Sequence, residues 1–158
     1  MMEALHLYRT RFKPSRQLDR PHAMVGLNAV VAKTDAEAQR HFTSLQQSFT
    51  NLRRGRPGQV PPPIDDIDAF WSPAEKASAG MTLLVSAVGS PETVERGLLK
   101  FINVTQPDEI IASAHIYDHG ARLRSFELLA DVHSRLAARE SSSGLEKTAR
   151  SKAGGVTA

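Results

Sequence analysis

Val88-Gly-Ser-Pro-Glu-Thr-Val94, followed by Ile110-Ile-Ala-Ser-Ala-His-Ile-Tyr117 and then Asp118-His119, is the stretch on which the fold of this chain turns. Gly89 ends the segment before it. Ser90 is placed to cap a helix, its hydroxyl accepting from first-turn amides that have no partner of their own. Pro91 stands at the first helical position, where a missing N–H costs nothing, and Glu92 lies near the positive end of the helix dipole. Val94, Leu98, Phe101 and Ile102 recur at helical spacing, and Pro107 cannot continue that helix. Ile110 to Tyr117 then alternates as a strand. Ile110, Ala112, Ala114 and Ile116 make an apolar face, and Ile111, Ser113, His115 and Tyr117 a mixed one.

The mixed face has two readings. In an open two-layer sheet it meets solvent. In a closed parallel barrel it points inward, and residues near the C-terminal end of the strand line the mouth where such folds hold their chemistry. Periodicity alone leaves both open.

Upstream, Ala23 to Ala32 is almost continuously apolar, which predicts a strand buried on both faces, interrupted by Asn28. Thr34-Asp-Ala-Glu37 is a capping box, and the helix it opens carries Ala38, Phe42, Leu45, Phe49 and Leu52. That helix ends at Gly55, after Arg53 and Arg54 near the negative end of its dipole. Glu3 to Lys13 reads as the end of a helix, with Leu5, Tyr8 and Phe12 on one side. Gln59 to Trp71 is a proline-rich extended connection. Ser72-Pro-Ala-Glu75 starts a short helix, and Met81 to Val88 is an apolar extended run. Downstream, Leu123, Phe126, Leu129, Val132 and Leu136 mark a last helix. Residues 139–158 carry no stripe and read as an unstructured tail after a domain spanning 1–138. Strands alternating with helices imply a parallel α/β sheet, here about two βα units plus an insertion. Two strands are too few to stand alone, so the chain reads as part of a larger fold.

The bulk numbers narrow the function classes. The chain has 158 residues, 41% of them hydrophobic and 23% charged, enough for one core. No apolar run approaches the roughly 20 residues a membrane helix needs. Cysteine is absent, which removes disulfides, thiol nucleophiles and cysteine metal sites. A cytoplasmic setting fits. The net charge of +3 permits nucleic-acid binding without arguing for it. Glycine-rich phosphate loops, metal-ligand helices and nucleophile elbows are missing from the sequence.

Several segments, in order, resemble the bacterial luciferase-like flavin-dependent monooxygenases. They are Tyr8-Arg-Thr-Arg-Phe-Lys-Pro-Ser15, Gln17-Leu-Asp-Arg-Pro21, Leu52-Arg-Arg-Gly-Arg-Pro-Gly58, Asp65-Asp-Ile-Asp-Ala-Phe-Trp-Ser72, Val88-Gly-Ser-Pro-Glu-Thr-Val94 and Ile116-Tyr-Asp-His-Gly-Ala-Arg-Leu-Arg-Ser125. The resemblance is to the C-terminal portion of a TIM-type (β/α)8 barrel: the end of the sixth helix, the seventh strand and helix, an insertion, and the eighth strand and helix. Gln106-Pro107-Asp108 departs from the glycine-containing turn usual before the last strand. The resemblance implies FMN, O2, an organic substrate and a flavin reductase. It also implies that most flavin contacts are encoded in family segments with no counterpart here. The chain alone is therefore expected to hold FMN poorly and to be inactive.

Candidate residues follow from position. His115 on the mixed face is a candidate donor to a flavin oxygen or an oxygenated intermediate; the plainer reading is a hydrogen-bonded filler of the mouth. Asp118 and His119 are candidates for an orienting pair, against a capping role at the next helix. Asn28, Ser113 and Tyr117 are candidates for a pocket wall. Trp71 either walls a pocket or packs the insertion. The Ser90 helix start has the free amides of an anion site.

Two alternatives stand beside the enzyme reading. A partial barrel exposes strand edges and apolar faces, which suits a non-catalytic remnant, a homo-oligomer or the complement of an N-terminal fragment. The Arg53-Arg-Gly-Arg-Pro57 run resembles a minor-groove hook for AT-rich DNA. Its place at a helix C-terminus has the structural explanation given above.

Overall fold

In the computed structural model, residues 1–139 are described in full, together with the backbone of the last helix to Ala153. The tail expected to be unstructured begins at 139, within the backbone of the last helix, and its residues 154–158 lie outside the described residues. The elements are α1 (Met2–Arg11), β1 (Met24–Val31), α2 (Asp35–Arg53), α3 (Pro73–Thr82), β2 (Ser86–Gly89), α4 (Pro91–Thr105), β3 (Glu109–Ser113) and α5 (His119–Ala153). No helix among the described residues is long and apolar enough to cross a membrane.

The α/β class is as expected, but the strand count is not. The sheet has three parallel strands in the order β2-β1-β3. Ser86–Gly89, read from sequence as the end of an extended run, is a strand in its own right. Four residues are too few to announce themselves by alternation, and pairing with β1 is what makes them a strand. The last strand is also shorter than predicted: it ends at Ser113 rather than Tyr117.

Helix starts follow the local chemistry. Thr34, Ser72 and Ser90 each accept the amide three residues on: Glu37 at 3.2 Å, Glu75 at 3.4 Å and Thr93 at 3.4 Å. The full reciprocal box forms at Ser72, where Glu75 accepts the Ser72 amide at 2.8 Å. α2 ends in a Schellman motif. Gly55 takes φ +70, its amide donates to Leu52 and the Arg56 amide to Asn51, so two orphan carbonyls are satisfied by the turn itself. α4 ends on Gln106 with φ +48, ψ +52. Gln106 thus adopts the left-handed conformation that a glycine would ordinarily supply, and its side chain donates back to Ile102 and Asn103. The helix–strand junction forms despite the missing glycine.

The two faces of β1 are covered by different helices. Leu27, Ala29 and Val31 pack with Ala87 against Val94 and Leu98 of α4 and Leu128, Val132 and Leu136 of α5. Val30 and Ala32, on the other face, pack against Ala38, Phe42 and Leu45 of α2. Each Val, Leu or Phe among them contributes about 1.5–3 kcal/mol on leaving water before entropy is counted, and each Ala less. In α5 the first part of the expected stripe is out of phase and the rest holds: Leu123 and Phe126 are exposed while Ser125 and Leu128 are buried, and Val132 and Leu136 are buried as expected. The physical reason lies in β1. Asn28 and Ala32 donate toward β2, to Val85 and Gly89, so the alternate Val31 amide points to the β3 side. β3 has already ended there. The buried Ser125 hydroxyl accepts the Val31 amide at 2.8 Å, and this fixes which side of α5 faces the sheet.

The α1–β1 connection is pinned to the start of β3. The Ala23 amide donates to Asp108 at 2.7 Å, and His22 meets Glu109 at 2.7 Å. Arg9 donates to the carbonyl of Thr105 at 2.8 Å.

Candidate functional site

One polar feature crosses all three strands. β1 pairs with β3 through Met24–Asn28 and with β2 through Asn28–Val31, so Asn28 is the residue present in both registers, opposite Ser86 and Ser113. Their side chains join. Asn28 Nδ2 donates to Ser86 Oγ at 3.3 Å, Ser113 Oγ donates to Asn28 Oδ1 at 3.3 Å, and Ser86 Oγ donates to the Leu83 carbonyl at 2.7 Å. The row lies on the β1 face that α2 covers at its C-terminal end only. Below it, Met24 and Ile111 are 52% and 54% exposed, and Gly26 has open space where a side chain would begin. A half-buried donor–acceptor row on an otherwise apolar, open sheet face can orient the polar edge of a ligand.

Sequence reasoning named Asn28 and Ser113 separately, and the fold brings them together. It missed Ser86. The available signal was a hydroxyl interrupting the apolar run Leu83–Val88, but nothing local says that this hydroxyl stands opposite Asn28.

The remaining candidates lie elsewhere. Because β3 ends at Ser113, the alternation breaks. Ile110 and Ala112 pack on the α4 and α5 side, whereas Ala114 and the buried Ile116 join the α2 cluster. His115 and Tyr117 are therefore exposed residues of a connection and not members of a continued strand face. Asp118 and His119 do not pair in the manner considered. Asp118 Oδ1 accepts the Ala121 amide at 2.7 Å, a cap on α5, and His119 Nδ1 contacts Arg122 at 2.8 Å. Trp71 is half-buried and donates to Asp68 at 3.0 Å within the insertion.

The Ser90 helix start already holds an anion, and it comes from the chain itself. Asp35 Oδ1 accepts the Ser90 amide at 2.6 Å, and Asp35 Oδ2 accepts the Thr93 hydroxyl at 3.1 Å. The Ser90 amide, with help from Thr93, holds the Asp35 carboxyl below the usual carboxylate range. A phosphate there would meet a carboxylate. Arg53 and Arg54, of the run read as a DNA hook, also have internal partners. Arg54 grips Glu75 through both carboxylate oxygens at 2.7 and 3.0 Å and lies 4.7 Å over the Phe70 ring, and Arg53 donates to Thr82 at 2.9 Å. No group of three metal-ligating side chains occurs among the described residues.

Comparison with known proteins gives the chain its relatives. It is 47% identical over 136 residues to a luciferase-like monooxygenase of Escherichia coli (strain K12), a match covering 86% of this chain and 41% of that protein. The chain is related to the luciferase-like monooxygenases. It is also 46% identical over 129 residues to the uncharacterized protein YvbT of Bacillus subtilis (strain 168), covering 82% of this chain and 38% of that one. Among solved structures, apo-MsnO8 matches with a TM-score of 0.71 at 28% identity, over 84% of this chain and 41% of that chain. No family model matches. The chain thus spans about two fifths of the length of these relatives.

Proposed function

We propose that the chain forms the C-terminal portion of a luciferase-like, FMN-dependent monooxygenase, an oxidoreductase using reduced flavin and O2 on an organic substrate, with a barrel completed by further strands. The observation that carries this reading is the Ser86–Asn28–Ser113 row on an open, apolar sheet face, in a chain 47% identical to a luciferase-like monooxygenase. Such a row suits one wall of a ligand cavity. It does not make a flavin site by itself. The α4 start, read from sequence as an anion site by its free amides, is filled by Asp35, and one wall leaves most of a ring's polar edge without protein partners. The described residues therefore do not fit FMN unaided. A flavin reductase is the expected electron source, and His115 and Tyr117 stand beyond Ser113 as candidates for contact with whatever enters the completed cavity.

The test is oxygenation by the completed assembly. Chemically reduced FMN, labelled O2 and a panel of aldehydes, thioethers and heteroaromatics are supplied, and label in an organic product is sought. Incorporation that falls when Asn28→Ala is introduced is the expected result; reduced flavin reoxidised with no labelled product across the panel overturns the monooxygenase reading.

The DNA reading gains no support. Its Arg-Gly-Arg core is a closed helix cap and not an extended segment, and two of its arginines are held by the chain's own side chains.

A further inference from the structure

We propose that the Ser86–Asn28–Ser113 row selects a substrate that carries its own hydrogen-bond donor beside a carbonyl, the cis-amide edge of a lactam or imide, and turns away aldehydes, ketones and carboxylates. That the ligand is a substrate rests on the reading above; the selection rests on where each hydrogen of the row already goes. A hydroxyl has one hydrogen and two lone pairs. Ser86 Oγ donates its hydrogen to the Leu83 carbonyl at 2.7 Å, so toward Asn28 it can only accept. This orients the amide: Nδ2 faces Ser86 and Oδ1 faces Ser113, each at 3.3 Å. The reverse orientation would set Oδ1 against an oxygen with no hydrogen to give. Oδ1 can only accept in its turn, so the hydrogen of Ser113 is committed as well.

What is left for a ligand is unequal. Both hydroxyls keep lone pairs but no hydrogen. Among the described residues, the N–H of this row still free is the second one of Asn28. Ser86 and Ser113 stand on the strands at either side of Asn28. The remaining N–H and the remaining lone pair of the amide therefore lie together on its outer edge, pointing off the sheet. That edge pairs with a group holding N–H and C=O side by side. A ligand with acceptors alone sets lone pairs against lone pairs and leaves them desolvated without partners. The body of the ligand has its place too. Gly26, on the same face two residues before Asn28, leaves open space above it, beside the exposed Ile111 on β3. An apolar ring laid over Gly26 brings its amide edge to Asn28.

The experiment titrates the full 158-residue chain, isotope-labelled for NMR, with three probes at millimolar concentration. They are δ-valerolactam, its N-methyl derivative, which keeps the carbonyl and lacks the N–H, and cyclohexanone. The side-chain amide signals of Asn28 should move saturably with the lactam. The N-methyl compound and the ketone should bind at least about tenfold more weakly, for want of one matched hydrogen bond. Gly26→Val, at a position where an added Cβ meets nothing within 4 Å, should abolish lactam binding with circular dichroism unaltered. Ser86→Ala releases the N–H that Ser86 holds and should narrow the preference by strengthening the ketone. Equal binding of the lactam and its N-methyl derivative, or no shift at Asn28 with any probe, overturns the selection. The ring of FMN carries the same kind of edge; FMN that displaces the lactam at equal concentration assigns the row to the cofactor and overturns the substrate class. Lactam binding at Asn28, with no labelled product from the lactam or the panel in the completed assembly, keeps the selection and overturns the monooxygenase reading. Labelled product from an acceptor-only substrate, unaffected by Asn28→Ala, does the reverse.

Discussion

The carboxylate of Asp35, the first residue of α2, accepts the amide of Ser90, the cap of α4, at 2.6 Å. Helices on opposite faces of the sheet are thereby tied at the ends of β1 and β2. Gly89 permits it. Its φ is +150, and a Cβ there would lie 2.7 Å from Asp35 Oδ1 and 2.7 Å from Thr93 Cγ2. Gly89→Ala should cost about 1–3 kcal/mol through backbone strain alone, read as a lower urea midpoint with unchanged slope. Asp35→Ala should lower stability on its own and reduce the additional penalty of Gly89→Ala. Strict additivity of the two would show that they do not share this contact.

Ser125→Ala should destabilise by about 1–3 kcal/mol, because it strands the buried Val31 amide without an acceptor. The substitution removes almost no apolar contact. A cost well under this range in equilibrium denaturation would mean that water reaches the β1 edge where β3 ends.

Gln106→Gly should stabilise by about 1 kcal/mol, since the left-handed conformation costs a side-chain-bearing residue roughly 1–2 kcal/mol. Loss of the side-chain bonds to Ile102 and Asn103 offsets part of the gain. Thermal denaturation of the two proteins side by side measures the balance.

Acid should loosen the insertion through Glu75. Arg54, then the Ser72 amide, pull its carboxyl from 4.5 down to about 2. A folded-state value below the unfolded one means stability that is complete above about pH 4.5 and is lost as pH falls toward 2. Glu75→Gln should flatten the dependence of the urea midpoint over that window. Salt should weaken the wild-type dependence, since the pair is solvent-accessible.

The isolated chain should not bind FMN usefully. Flavin fluorescence should show no saturable quenching at low micromolar concentration, because the described residues supply one wall and Asp35 fills the α4 start. Asn28→Leu should leave the fold intact and change only ligand behaviour in the completed assembly; a large loss of stability would mark the polar row as structural.

Ile116→Ala should cost about 2–5 kcal/mol. This side chain is 2% exposed in the α2 cluster, although the alternation placed it with Ile110 and Ala112. A cost as small as that of an exposed site would mean that it does not pack in the α2 cluster.

What the residues determined by themselves is what depends on near neighbours in the chain. Thr34, Ser72 and Ser90 announce three helix starts because a cap reaches only three residues. Gly55 ends α2 because only the local backbone matters there, and near-continuous apolarity marks β1 because a central strand is covered on both faces over its second half. The relationship to luciferase-like monooxygenases was legible in ordered segments spread along the chain. Tertiary structure alone decided that Ser86–Gly89 is a strand, that β3 stops at Ser113, that α5 turns Ser125 inward, and that Asn28 stands between Ser86 and Ser113. Each of these depends on a partner dozens of residues away: a strand too short to show a period, an amide left over by a departing neighbour, and a register in which one asparagine belongs to two ladders. Periodicity reports which side chains share a face, but the face that is buried, and where it ends, is set by what packs against it.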